Sequence, residues 1–217
     1  MGIFSSILDV LFPPRCVFCG KFLKNGPADV CPACKDMLPR LSGAQAETKG
    51  EFFEVCVSAL RYEGNVRKAI HRYKFRGAAG YADCFGKLLA QCITESLRGR
   101  YDIITWVPLS GERLKKRGYD QAFLLAQAAA LALDDIAVET LSRDHDAQAQ
   151  SSLSGSAERR ANIMGAYSVP DPELIRDKRI LIVDDVVTTG ATLSECARTL
   201  LTAGAEEVVC AALCAAK

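Results

Sequence analysis

Net charge is what this sequence most lacks. Its 27 Lys and Arg stand against 26 Asp and Glu, a formal +1. No global field draws in nucleic acid or a membrane surface, and affinity for anions must come from local clusters. Long apolar runs are also missing: even the rich stretch Ile103 to Leu109 is strand-length, far short of the ~18 residues that span a bilayer. The first residues show neither the basic n-region nor the small-residue cleavage site of a secretory signal. The ten cysteines are therefore expected in a reducing compartment, the cytoplasm, and not in a disulfide framework. Residues Met1 to Ser6 match a loose myristoylation pattern, but no polybasic flank follows to make one acyl chain hold. Internal repeats and low-complexity tracts are absent too.

What is present is a balance of 49% hydrophobic and 24% charged residues, that of an ordinary globular protein. The length of 217 residues holds one α/β core with roughly 50 residues to spare for an appendage. Ile3, Phe4, Ile7, Leu8, Leu11 and Phe12 recur at helical spacing up to Pro13 and Pro14, which predicts a short amphipathic helix docked on the body. Two CxxC knuckles follow, Cys16/Cys19 and Cys31/Cys34, with eleven residues between them. Four thiolates at this spacing suit a closed tetrahedral zinc site of structural type; a redox pair or simply buried cysteines are the competing readings. Cys56, Cys84, Cys92, Cys196, Cys210 and Cys214 sit among apolar neighbours and read as core. The polar stretch Ser42 to Glu51 reads as a linker, giving an N-terminal module over 1–50 and a main domain over 51–217.

In the main domain, periodicity predicts strands at Phe52–Tyr62, Asp102–Val107, Ile136–Leu141 and Ile180–Val183. It predicts helices at Val66–Tyr73, Tyr81–Leu97 and Gln121–Leu133. Alternating helices and wholly apolar strands imply a parallel sheet covered on both faces. Basic residues gather in two places. Arg61, Arg67, Lys68, Arg72, Lys74 and Arg76 oppose only Glu63, and Arg113, Lys115, Lys116 and Arg117 crowd one turn. A solvated helix face competes with an anion site for both.

The most informative residues run from Arg179 to Thr192. An apolar strand ends in Asp184 and Asp185, then a turn containing Thr188, Thr189, Gly190, Ala191 and Thr192 enters a helix. Backbone N–H groups at a helix N-terminus cradle phosphate, and a glycine lets the backbone approach it. No lysine stands where a Walker loop needs one, so a terminal monophosphate fits better than the end of a nucleoside triphosphate. The carboxylates then lie where ribose hydroxyls would fall. A receiver domain is excluded because only 32 residues follow Asp185, and an aspartyl-phosphate phosphatase would want its carboxylates two apart.

This segment resembles the phosphoribosyl pyrophosphate (PRPP) signature of type I phosphoribosyltransferases, and the chain as a whole resembles the ComF family of competence-associated proteins. The likeness also runs through the paired knuckles, Tyr62 to Gly77 with its Lys74-Phe75 step, Val107-Pro108-Leu109-Ser110 and Arg117-Gly118-Tyr119-Asp120-Gln121. It implies a type I phosphoribosyltransferase fold, an α/β parallel sheet covered by helices, with a small N-terminal zinc ribbon. It implies that Asp184 and Asp185 hold the ribose hydroxyls and that Thr188 to Thr192 hold the 5-phosphate. Ser110, Arg113, Lys115, Lys116 and Arg117 would screen the diphosphate, with Mg²⁺ bridging it to the ribose. Arg143 to Asn162, with Gln150, Leu153 and Arg159, would be the catalytic loop that closes over the ligand.

Two functions follow from the resemblance. One is an enzyme that displaces pyrophosphate from PRPP with an unidentified nitrogen acceptor, using Asp184, Asp185 and Arg117. The other is a PRPP-regulated factor that handles single-stranded DNA during uptake and transformation, with phosphate contacts from the Arg61 to Arg76 cluster and the zinc module, and base stacking by Tyr73 and Phe75. The oligomeric state stays open, a homodimer included.

Overall fold

The structure is a computed structural model that describes residues 13–23, 29–143 and 165–216. The amphipathic helix expected at the N-terminus lies outside them. Among the described residues the chain runs through α1 (Pro32–Met37), β1 (Glu47–Thr48), β2 (Cys56–Arg61), α2 (Gly64–Phe75) and α3 (Ala82–Ser96). Next come β3 (Ile103–Trp106), α4 (Gly111–Arg117), α5 (Gln121–Ala132), β4 (Ser142–Arg143) and β5 (Tyr167–Ser168). It ends with α6 (Pro172–Ile175), β6 (Arg179–Val187), α7 (Ala191–Thr202) and β7 (Glu207–Ala215).

The main sheet has the order β1-β2-β7-β6-β3, and β4 pairs with β5 apart from it. Strands β2, β7, β6 and β3 are parallel, while the short edge strand β1 runs antiparallel to β2. Both faces are buried, which is why β6 is apolar at successive positions instead of alternating with polar residues. Leu181 and Val183 enter a core shared with α2, α3 and α5, whereas Ile180 and Ile182 enter a second core under α7. The six cysteines read as core are all buried, and none of the ten cysteines forms a disulfide. Close packing of α3 on α5 depends on Gly86, where an added Cβ would lie 2.6 Å from the backbone of Ala128.

Several expectations change. The strand expected from Phe52 starts at Cys56, because Phe53 turns into the second core beneath α7. The Ser42 to Glu51 linker contains β1, and Ala46 accepts from the Ser58 amide. Ile136–Leu141 makes one bridge, Ala137 with Ile104, and not a strand; Thr140 then bonds the Thr105 hydroxyl through its side chain at 2.9 Å, replacing the ladder. The basic turn after Ser110 is the helix α4. Strand β7, unforeseen, lies between β2 and β6.

The N-terminal knuckles pack directly on this body. Cys16, Val17, Phe18, Cys31 and Cys34 belong to the same core as α2 and α3. Arg72 on α2 donates from Nη2 to the carbonyls of Val17 at 2.7 Å and Phe18 at 2.9 Å. No helix among the described residues is long and apolar enough to cross a membrane.

Candidate ribose-phosphate cleft and cysteine cluster

Asp184 and Asp185 lie near the C-terminal end of β6, which is where ligands bind in open parallel sheets. Successive residues of a strand point to opposite faces, so the two carboxylates meet different neighbours. Asp185 is buried and takes Lys74 Nζ on Oδ1 at 2.6 Å. Asp184 is half-buried and accepts from the Asp185 amide at 2.7 Å. Burial first, and the Asp185 charge second, push Asp184 up to about 7, against the pull of Lys74. Burial alone would lower Lys74, but Asp185 and Asp184 outweigh it and raise its pKa.

These groups line a cleft of about 160 Å³ together with Arg113, Arg117 and Arg143. Desolvation first, then the like charges of Arg143 and Arg117, lower the Arg113 guanidinium from its usual range. Arg117 is braced by Gln121 Oε1 at 2.6 Å and lies 5.0 Å from the centre of the Phe75 ring. Arg143 reaches the cleft because β4 pairs with β5, setting its guanidinium over the Tyr167 ring. Asp120 is a structural acceptor: it caps α5 through the Phe123 amide at 3.1 Å and holds the Leu109 amide at 2.9 Å. Burial raises its pKa despite those amides.

A neighbouring hollow of about 90 Å³ is lined by Thr188, Thr189, Gly190, Ala191 and Thr192, and it shares Asp184 with the cleft. Gly190 is the N-cap of α7 at φ 76°, a left-handed conformation that disfavours any side chain. Its missing Cβ also matters, since one would meet the Phe53 ring at 3.3 Å. Lacking a capping side chain, the first turn of α7 leaves its amides to other acceptors.

The structure thus brings Asp184, Asp185, Arg117 and Thr192 to one cleft and Thr188 to Ala191 to the adjoining hollow. Ser110 caps α4 and Lys116 is exposed on it; neither lines the cleft. Lys74 and Tyr167 join the site without having been singled out for it, and Arg143, the first residue of the expected catalytic loop, joins them. Gln150, Leu153, Arg159 and Asn162 lie outside the described residues. The expected DNA contacts change most. Arg72 and Lys74 are engaged inside the protein, and Tyr73 is fully buried with its hydroxyl donating to Gln121 O at 2.8 Å. Arg61, Arg67, Lys68 and Arg76 are exposed, as is Phe75.

The Sγ atoms of Cys16, Cys19, Cys31 and Cys34 all lie within 4.8 Å of one another, with Cys19 and Cys31 at 3.6 Å. A tetrahedron with Zn–S near 2.3 Å has edges of about 3.8 Å, so the donor set fits zinc. Burial opposes ionisation at Cys16, yet amides of Cys19 and Cys31 bring it down to about 6. Burial pushes Cys34 up. Four crowded sulfurs can all be thiolates only around a cation.

Comparison with known proteins agrees with this layout. The family model of the phosphoribosyl transferase domain matches residues 114–217, and that of the double zinc ribbon domain matches residues 7–57. The chain is 30% identical over 209 residues to the DNA utilization protein YhgH of Salmonella typhimurium, covering 92% of this chain and 89% of that one. It is 27% identical over 216 residues to competence protein F of Haemophilus influenzae, covering 89% and 93%. Competence protein ComFC of Bacillus subtilis is 28% identical over 149 residues, covering 68% and 58%. Among solved structures, glutamine PRPP amidotransferase from B. subtilis matches 65% of this chain at 21% identity, with a TM-score of 0.45; the chain spans 30% of that enzyme's length.

Proposed function

The chain belongs to the ComF family, with a type I phosphoribosyltransferase fold behind an N-terminal zinc ribbon, and on that premise we propose that it binds PRPP in the β6 cleft and transfers the phosphoribosyl group. The observation that carries this reading is the meeting of both charges in one small cleft, which is lined by Asp184 and Asp185 and also by Arg113, Arg117 and Arg143. PRPP has the matching halves: a diol that donates to carboxylates and a diphosphate that takes guanidinium donors. Its 5-phosphate would sit on the α7 amides and the hydroxyls of Thr188, Thr189 and Thr192.

In transfer, the lone pair of an acceptor nitrogen forms the C1–N bond while the C1–O bond breaks, its electron pair leaving on pyrophosphate. The protein's part is to hold C1 in line and to stabilise the departing charge with Arg113, Arg117 and Arg143. Zinc would be held by Cys16, Cys19, Cys31 and Cys34; with all four positions taken by protein, its contribution is to folding. The magnesium expected with PRPP is offered no protein-held site. Asp185 is already paired with Lys74, and among the described residues the four-cysteine group is the sole cluster of three or more His, Cys, Asp or Glu donors.

The names of the relatives favour a second reading, in which ligand binding regulates a factor for incoming single-stranded DNA. Its phosphate contacts would come from the exposed Arg61, Arg67, Lys68 and Arg76. We keep 1–50 and 51–217 as the two functional units. The deciding experiment is calorimetry of zinc-loaded protein with PRPP, ribose 5-phosphate and pyrophosphate, followed by pyrophosphate-release assays across a panel of nitrogen nucleophiles. Binding with turnover supports the enzyme; binding without turnover supports the regulated factor; no binding of PRPP refutes both.

A further inference from the structure

In the sequence Lys74 belongs to a basic cluster that would meet anions, yet its ammonium sits 2.6 Å from Asp185 Oδ1. Both side chains are largely shielded from solvent, at 22% and 8% exposure. A pair this closed is held by the fold and is not a chance surface contact. Two adjacent carboxylates with a phosphate hollow beside them would ordinarily call for a divalent cation, which wants six or more oxygens, some from water. Here the third nearby carboxylate, Asp120, is consumed by two backbone amides, and Asp185 already has its positive partner. The residues present therefore do not fit a resident divalent ion.

We propose that Lys74 is the built-in counter-cation of the Asp184/Asp185 pair, so that the sugar-phosphate part of the ligand binds there without a divalent metal. The inference rests on the ribose-phosphate reading for its ligand, while its electrostatic part stands on the ion pair alone. Lysine suits the task better than arginine. A compact ammonium bonds one carboxylate oxygen and leaves the other free for a ribose hydroxyl, whereas a guanidinium fork takes both. Lys74 also offsets part of the repulsion between the two carboxylates, keeping both as acceptors for a vicinal diol.

The test uses zinc-loaded protein in buffer freed of other divalent ions by a chelating resin. Ribose 5-phosphate is titrated calorimetrically with and without added Mg²⁺, and Mn²⁺ binding is followed separately by electron paramagnetic resonance. Wild type is expected to bind the sugar phosphate equally with and without Mg²⁺ and to bind Mn²⁺ negligibly. Lys74→Met and Lys74→Gln should lose at least about tenfold in metal-free affinity, equivalent to about 1.4 kcal/mol, and should acquire a Mn²⁺ site that Asp185→Asn removes. Lys74→Arg should block Mn²⁺ as wild type does but bind the sugar phosphate more weakly. A wild type that needs Mg²⁺ to bind ribose 5-phosphate, or neutral variants with no gain in Mn²⁺ affinity, would overturn the proposal. If wild type binds no sugar phosphate under either condition, the ribose reading fails, and the Mn²⁺ comparison still decides whether Lys74 is the site's cation.

Discussion

Replacing Arg72 by Ala should destabilise the protein and loosen its metal module, although in sequence Arg72 looks like one more charge on a basic helix. Its Nη2 reaches two carbonyls of the first cysteine knuckle at 2.7 and 2.9 Å, and Val17 and Phe18 are themselves essentially unexposed. Hydrogen bonds from a charged donor contribute about 1.5–3 kcal/mol each. Arg72 is half-buried, so water recovers part of the loss, leaving about 3 kcal/mol. For a chain of this size that lowers Tm by about 6–12 °C. Zinc should also leave faster to a chromogenic chelator, because the turn joining Cys16 to Cys19 loses its brace. The assays are thermal unfolding and chelator-monitored release, with Arg67→Ala, an exposed neighbour, as control. A Tm change for Arg72→Ala no larger than the control's, with unchanged release, refutes the reasoning.

Metal analysis should find one zinc per chain in replete, reducing conditions, and Cys31→Ser should abolish it, since three thiolates leave the shell open. Asp184→Asn should cost ribose 5-phosphate binding roughly 10–100-fold, or about 1.4–3 kcal/mol in calorimetry, while leaving the Lys74–Asp185 pair intact. The same variant has a signed pH effect. Burial first raises Asp184 to about 7 from its ordinary value, so the folded state holds a proton the unfolded state has lost, and stability falls as pH rises from about 4 to about 7. Asp184→Asn should therefore gain more stability at pH 8 than at pH 5, by on the order of 1–2 kcal/mol, and equal gains at both would contradict the assignment. Gly190→Ala should cost about 1 kcal/mol from its φ of 76° and weaken the sugar phosphate but not pyrophosphate alone. In a salt series, Arg67→Ala with Lys68→Ala should reduce single-stranded DNA affinity and flatten its salt slope by about two counterions; an unchanged slope would remove α2 from the footprint.

The parts of the site that were legible in the sequence are those written consecutively. Asp184 to Thr192 form a strand end, a turn and a helix start in nine neighbouring residues, and Cys16 to Cys34 declare their chemistry by spacing alone. Lys74 was not legible as a partner of the carboxylates, and Arg143 was legible only as the start of the expected loop, because each meets its partners only after the chain has folded. Arg143 depends on β4 finding β5 across residues 144–164. Strand β7 was missed for a different reason. Its run Cys210-Ala211-Ala212-Leu213-Cys214-Ala215 has the small residues of a good helix former. A central strand flanked by β2 and β6, with helices on both faces, needs small side chains, and tertiary packing overrides the local preference.

Helix α2 shows why charge read along a sequence does not map simply onto function. Residues in a helix advance by about 100° each, so Arg72, Tyr73 and Lys74 face three different partners. Arg72 meets the zinc-ribbon carbonyls, Tyr73 the core and the Gln121 carbonyl, and Lys74 the carboxylate of Asp185. Tyr119 adds a fourth tie, its hydroxyl donating to the Tyr73 carbonyl. One turn of one helix is therefore pinned by the cysteine module at one side and by the ligand cleft at another. The pinning sets Lys74 more sharply than its long, flexible stem would otherwise allow, because the backbone from which it extends cannot shift without straining the knuckle. The exposed charges Arg67 and Lys68 of the same helix, and Arg76 at its C-cap, carry no such ties among the described residues and can meet phosphates from solution. Scaffold and surface thus alternate residue by residue along α2, and burial, not charge, separates them.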